Sequence, residues 1–429
     1  MQVVDNIKIM SKISSQTAKT HSSAHPSRGF GWHGKATECK PTLRFPGFKG
    51  AWEEKRLGDF LIHQSREVPK PLSTYKALGL RSHFKGTFQK LDSDPKKIAM
   101  EKLFLVREND FLVNITFAWE GALAIAKKED DGGLVSHRFP TFIFNQKITN
   151  ANYFRYVFPT KRMKYILGNI SPGGAGRNRV LNKGDLLKIK VHLPSLPEQQ
   201  KIADFLGSVD SWIENLRMQK SAFESYKKGI MQNIFSQEIR FKPDLRSRGE
   251  AGDDNGKEFP KWEENRLGDC LDYEQPTEYI VHDAEYDNSY KTPVLTAGKG
   301  FILGYSNETD NVFRKGLPVI IFDDFTTTSQ FVDFPFKVKS SAMKILKAKE
   351  NVDIRFLYAA IQQIKYEIGG HGRHWISKYS KIKISLPSIS EQKKITDFLT
   401  SIDKVIESKQ QQITQAEQWK TGLMQGLFV

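Results

Sequence analysis

LPSLPEQQKIADFL, residues 193–206, returns as LPSISEQKKITDFL at residues 386–399. The match extends from Lys188–Glu214 to Lys381–Glu407 at a constant offset of 193, with 17 of 27 positions identical. A second pair lies upstream. FPGFKGAWEEKRLGDFL begins at Phe45 and FPKWEENRLGDCL at Phe259, with Trp52 matching Trp262 at an offset of 210. The stretches between the borders, about 62–176 and 272–372, look unlike each other. This is the pattern of a tandem duplication with matched borders and divergent interiors. Matched borders suggest a shared role in assembly, and divergent interiors suggest two different things being read.

Each repeated stretch reads as the start of a helix. Ser195-Leu-Pro-Glu198 and Ser388-Ile-Ser-Glu391 fit the S-x-x-E capping box, in which the Ser hydroxyl accepts the N3 amide and the Glu reaches back. Pro197 is tolerated in a first helical turn. The strand-like runs LLKIKVHL and KIKISL come just before. Beyond the cap, Ile202, Leu206, Val209, Ile213, Leu216, Phe223, Ile230 and Ile234 recur at spacings built of threes and fours. Ile395, Leu399, Ile402, Ile406, Ile413, Ala416, Leu423 and Leu427 form the second series, and Lys220, Lys227, Lys409 and Lys420 interrupt the seams. A seam of about five heptads needs a partner helix. The simplest partner is the other copy, paired antiparallel about an internal pseudo-two-fold. The competing reading packs each helix on its own globular domain.

The chain has 429 residues, 65 Lys and Arg against 49 Asp and Glu, and a net charge of +16. Its 39% hydrophobic content, with 29 Phe, is enough to bury real cores. Such a basic balance fits a polyanion partner, nucleic acid first, or else solubilising surface charge. Two cysteines, Cys39 and Cys270, make neither a disulfide framework nor a CxxC knuckle, so a reducing cytoplasm is expected. No apolar run is long enough to span a bilayer, and none near the start resembles a signal-peptide core. Residues 1–42 read as a flexible extension. The irregular spacing of His21, His25, His33 and Cys39 favours a solvated tail over a metal site.

The interiors read as mixed α/β, with ENDFLVNITF and LPVIIFDDF as strand candidates and RFLYAAIQQIKYEI, from Arg355, as an amphipathic helix. Near the end of each lies a glycine-rich basic loop. SPGGAGRNRV carries Gly174, Gly176, Arg177 and Arg179; IGGHGRHWI carries Gly370, Gly372, Arg373 and His374. Glycines let backbone amides approach an anion closely, and Arg forks onto phosphate or guanine. These eight residues are the candidate DNA contacts, with plain turns as the bland alternative. TAGKGF, at Thr296, lacks the leading Gly and the Ser/Thr of a phosphate-binding loop. The adjacent Asp323 and Asp324 would point apart on a strand, so they read as surface or local structural groups rather than a metal pair.

These border motifs, together with the terminal GLMQGLFV, resemble the specificity subunit of Type I restriction–modification systems over residues 43–429. The resemblance implies two α/β target-recognition domains in tandem, joined by two long antiparallel coiled-coil helices with internal pseudo-two-fold symmetry. The expected division is a recognition domain at 43–192, a spacer helix at 193–236, a linker at 237–258, a second recognition domain at 259–384 and a second spacer helix at 385–429. Each recognition domain would read one half of a bipartite site in double-stranded DNA. The helical seam, centred on Ile202, Leu206, Val209, Ile213, Ile395, Leu399, Ile402 and Ile406, would space them. The helices would also dock two modification (methyltransferase) subunits, with restriction subunits for translocation and cleavage. The resemblance further implies that this chain catalyses nothing and binds no cofactor, while S-adenosylmethionine, ATP and Mg²⁺ serve the partner subunits. The competing class is a self-contained DNA nuclease with an unrecognised active site.

Overall fold

A computed structural model of the chain describes residues 40–171, 179–243, 258–283, 285–298, 300–366 and 372–428. The chain divides into two compact units, residues 1–216 with 412–429 and residues 217–411. Its helices are α1 (Ala151–Val157), α2 (Lys161–Asn169), α3 (Lys183–Leu187), α4 (Leu196–Phe235), α5 (Leu267–Cys270), α6 (Ile354–Gln363) and α7 (Ile389–Leu427).

The matched borders find each other in both units. In unit 1, strand Glu53–Arg56 pairs antiparallel with Lys190–Leu193, Glu53 opposite Leu193. In unit 2, Glu263–Arg266 pairs with Lys383–Leu386, Glu263 opposite Leu386. The Leu57 N–H then donates to Ile189 O at 2.8 Å, and that of Leu267 to Ile382 O at 3.0 Å. The RLGD glycine sits where backbone comes close. A Cβ on Gly58 would lie 3.2 Å from Leu187 O, and one on Gly268 3.1 Å from the Ser380 Cβ. Any larger residue would push these turns apart.

The interiors share one topology despite their sequences. Unit 1 has an antiparallel four-stranded sheet in the order Leu61–His63, Thr141–Phe144, Phe111–Val113, Leu123–Ile125. Unit 2 repeats it with Leu271–Glu274, Met343–Ala348, Val319–Asp323, Ser329–Val332. The strands expected in ENDFLVNITF and LPVIIFDDF are the third of each. A second sheet holds a hairpin beside a parallel strand: Tyr75–Leu80 with Thr87–Ser93 and Leu134–Val135 in unit 1, Thr292–Leu295 with Ile302–Ser306 and Lys337–Val338 in unit 2. Unit 1 adds Glu67–Pro69 and Lys102–Leu105 to this sheet. The amphipathic helix expected from Arg355 is α6, which ends at Gln363.

The long helices meet inside each unit, the head of α4 with the tail of α7 in unit 1 and the tail of α4 with the head of α7 in unit 2. The seam serves both readings of the heptads. Ile202, Leu206, Val209 and Ile213 share one core with Ala416, Leu423 and Leu427, and also with Tyr153, Phe154 and Phe158 of the globular part. Ile395 and Leu399 share another with Met231, Ile234, Phe356 and Leu357. Leu206 and Ile395 are wholly buried, each worth about 1.5–3 kcal/mol of transfer from water. Ile402 is buried and Ile406 half-buried. Two of the expected interruptions are answered across the pair. Lys420 Nζ bonds Asp210 Oδ1 at 2.5 Å, and Lys227 Nζ bonds Asp403 at 2.6 and 2.7 Å, the same contact at offset 193.

Candidate nucleic-acid interface

The repeated Glu-Gln pair fastens each long helix to its recognition unit, and this replaces the expected capping box. Glu198 does not turn back on its own helix. Its buried carboxylate takes Arg44 Nε and Nη2, each at 2.8 Å. Glu391, wholly buried, takes Arg240 Nε at 3.1 Å, Nη2 at 2.7 Å and the Trp262 indole at 3.1 Å. Only half of a box forms at the second site, where Ser388 Oγ accepts the Glu391 N–H at 3.4 Å. A forked guanidinium on a buried carboxylate supplies charge as well as two directed bonds, and it outcompetes the local cap. The neighbouring Gln completes the joint. Gln199 Oε1 accepts the Asn150 N–H at 3.0 Å and Gln392 Oε1 the Asp353 N–H at 2.8 Å, so each fixes the start of α1 or α6. Their amides donate to Pro194 O and Pro387 O.

The arginines expose a third repeat that the sequence reading missed. Leu43-Arg44-Phe45 matches Ile239-Arg240-Phe241. Leu43 N–H donates to Gly426 O at 2.8 Å and Ile239 N–H to Asn233 O at 3.1 Å, again equivalent positions on α7 and α4. Phe45 meets Phe205 edge-on at 5.5 Å, and Phe241 meets Phe398 at 5.5 Å. The signal was present in the sequence but only three residues long, at an offset of 196 that fits neither longer repeat.

With the frame fixed, each unit presents a loop edge. In unit 1 the hairpin tip Arg81–Gly86 carries two consecutive left-handed residues, His83 (φ 61°) and Phe84 (φ 56°). Their N–H groups donate to Glu120 O at 2.8 Å and Gly121 O at 2.9 Å, and Ser82 Oγ donates to Glu120 Oε2 at 2.6 Å. Strain of this kind persists only where neighbours hold it. The clamp joins the tip to the 114–122 loop. There the Arg179 guanidinium lies 5.2 Å from the Trp119 ring, beside Lys161, Lys164 and Tyr165, which is 71% exposed. Arg81 lies over Phe88 at 5.3 Å. Cations interleaved with aromatic faces suit phosphates and bases.

In unit 2 the 323–329 loop is built on its two acids. Asp323 Oδ1 accepts the N–H groups of Phe325 and Thr326. Asp324, buried, accepts those of His374 and Trp375 at 3.0 and 2.7 Å and lies 3.5 Å from the buried Lys344 ammonium. Both acids are structural, as expected, although Asp324 is interior rather than at the surface. Gly372 and Arg373 are exposed next to this pinned turn, beside Ile376 and Phe325, which are also exposed.

His374 is a correction to the candidate set. It is 2% exposed, its Nδ1 lies 3.4 Å from the Tyr366 hydroxyl, and its Nε2 is enclosed without a partner. Offset 193 places it where unit 1 has the core residue Leu181. The N–H of Leu181 donates to Ile115 O at 2.9 Å, as that of His374 donates to Asp324 O at 2.9 Å. The position is one that anchors the loop, so its side chain turns inward. Burial, then the neighbouring Tyr366, push the Tyr379 hydroxyl beneath it up to about 12. Arg179 is half-buried against Trp119. Gly174, Gly176, Arg177 and Gly370 lie outside the described residues. Among the described residues no group of three or more His, Cys, Asp or Glu could hold a metal, and no helix is long and apolar enough to cross a membrane.

Two units of one topology, framed by the same Arg–Glu and Gln–backbone joints and tipped with different basic and aromatic loops, define a tandem recognition chain. The Type I restriction modification DNA specificity domain matches twice, over residues 50–222 and 260–418, and the chain belongs to that family. It is similar to the Type I restriction enzyme EcoR124I/EcoR124II specificity subunit of Escherichia coli, at 42% identity over 146 residues, 33% of this chain and 36% of that one. It is also similar to the MjaVIII specificity subunit of Methanocaldococcus jannaschii, at 24% identity over 401 residues, 87% of this chain and 91% of that one. In fold it resembles the crystal structure of a Type I restriction-modification S subunit from M. genitalium, with a TM-score of 0.57 and 14% identity over 91% of this chain and 99% of that one.

Proposed function

We propose that each unit reads one half of a split double-stranded DNA site, that α4 and α7 set the distance between the halves, and that the outer faces of these helices dock two modification subunits. The observation that carries this reading is the combination of one shared frame with two unlike loop edges. The frame fixes where an edge stands, and the loops at that edge differ between units. Exposed Arg373 and the Arg179–Trp119 stack supply the charge and ring contact that such reading uses. The chain itself performs no chemistry in this reading. S-adenosylmethionine, with ATP and Mg²⁺, belongs to the modification and restriction subunits, and the complex works in the cytoplasm. The competing nuclease reading loses its best acids, since Asp323 and Asp324 are both committed to backbone N–H groups.

Methylome sequencing of the host with and without this gene tests the proposal. A bipartite methylated motif should vanish with the gene, while purified chain with plasmid and Mg²⁺ should leave DNA uncut and unmethylated. A methylome indifferent to the gene, or cleavage by the chain alone, would overturn it.

A further inference from the structure

The two units part company at one buried position beside the long helices. α1 and α6 are the same helix in different units. Their caps, Asn150 and Asp353, receive the equivalent glutamines, and Tyr153 and Phe356, Phe154 and Leu357, Phe158 and Ile361 are buried in register. The same register sets Tyr156 opposite Ala359. In unit 1 the Tyr156 hydroxyl donates to Asp210 Oδ2 at 2.9 Å, and Lys420 lies over its ring at 5.3 Å while bonding the other carboxylate oxygen. The phenol therefore fills the angle between α1, α4 and α7. Burial, then Asp210, holds it firmly protonated.

Unit 2 keeps the acid and the lysine, Asp403 and Lys227, but Ala359 ends at Cβ. What remains is a groove of ≈ 670 Å³ whose lining includes Met231, Ala359, Leu399 and Thr400 together with Asp403 and Lys227. Tyr358 lines the same groove from a different register and does not take the place of the missing ring. Its register is that of Arg155, and it stands against Phe331 at 5.9 Å. Lys228, Arg355 and Lys365 also line the groove against one further acid, Glu224, so the cations outnumber the acids and an incoming segment with acidic neighbours would suit it.

The geometry points to a tyrosine of the docked modification subunit entering this groove in unit 2, its hydroxyl donating to Asp403 as that of Tyr156 donates to Asp210. This rests on the reading that such a subunit docks on the long helices. It makes the two docking faces unequal, because unit 1 supplies from its own chain what unit 2 takes from its partner.

Two measurements on the full chain test it. The first titrates p-cresol as a free tyrosine side chain, followed by saturation-transfer NMR. Saturable binding is expected for the natural chain and its loss for Ala359→Tyr and for Thr400→Tyr, which fill the groove from α6 and from α7; thermal unfolding shows which variants are folded. The second titrates modification subunit by native mass spectrometry. One of two copies should bind at least tenfold more weakly to either variant, with the other unchanged. No p-cresol binding, or binding that both folded variants retain, overturns the groove as a phenol site. Loss of p-cresol with both modification subunits bound as before overturns the partner as its occupant. A natural chain that binds no modification subunit at all defeats the docking reading and the occupant with it, while p-cresol still decides the groove.

Discussion

Arg240 forks onto Glu391 with its Nε at 3.1 Å and Nη2 at 2.7 Å, and the same guanidinium bonds Pro260 O at 2.7 Å, so one side chain ties α7 to the entry of unit 2. Arg44 does the same for unit 1 through Glu198. Removing one partner of a buried pair strands a charge, at a cost of about 3–5 kcal/mol. Arg240→Ala should lower the stability of unit 2 by that amount and Arg44→Ala that of unit 1. Urea unfolding with hydrogen exchange resolved by unit reads this. A loss below about 1 kcal/mol, the range of exposed pairs, would mean that the joint is not buried in solution.

DNA affinity should fall steeply with salt, with a log–log slope of several released counterions. Arg373→Ala should weaken binding at one half-site, and Arg177→Ala or Trp119→Ala at the other. His374→Ala should act differently, loosening the 323–329 loop and the stability of unit 2, because its ring is enclosed. Filter binding to sites with one half scrambled separates these effects. Unchanged affinity for every variant would move the interface elsewhere.

The spacing role of the helices has a sharp test. Seven residues inserted after Leu216 and after Lys409 preserve heptad phase and lengthen each helix by about 10 Å. The unspecified gap in the recognised site should grow by roughly three base pairs at about 3.4 Å each, with unchanged half-sites. Four inserted residues should damage assembly instead. An active seven-residue variant with the original gap in its methylome would show that another element sets the distance.

Alkali should weaken the fold. Burial, with Tyr366 nearby, pushes Tyr379 up to about 12, and burial with the Glu274 bond does the same for Tyr279. Unfolded tyrosines ionise near about 10, so between these values the folded chain holds protons that the unfolded chain has lost. The stabilisation is whole below about pH 10 and disappears as pH rises towards 12. Urea midpoints measured across that range should fall, and Tyr379→Phe should flatten part of the slope. A midpoint that rises with pH would reverse the assignment.

The duplication, the helix starts and the paired seam were legible because they depend on periodicity and on borders under one geometric demand. The common topology of the interiors was not. Strands such as Phe111–Val113 and Val319–Asp323 need only buried apolar residues, which many sequences provide. The reading of Glu198 and Glu391 as caps failed because their arginines lie 154 and 151 residues away, beyond any local rule. His374 misled for a related reason. A histidine beside glycines and an arginine reads as a surface contact, and only its equivalence with Leu181 reveals an interior position.

The Leu43–Gly426 contact has a further meaning in time. In unit 2, Ile239 reaches Asn233 within the same stretch of chain, whereas the Thr42 hydroxyl and the Leu43 N–H meet Gly426, 384 residues downstream of Thr42. A ribosome adding roughly 5–20 residues per second needs on the order of 20–80 s to cover that distance. The unit whose first residues emerge earliest is thus the last to close, waiting for Ala416, Leu423 and Leu427 to complete its core. Damage to residues 412–429 would therefore be felt in unit 1, and between synthesis of Leu216 and of Ala416 a nascent chain would carry that unit's helix seam uncovered.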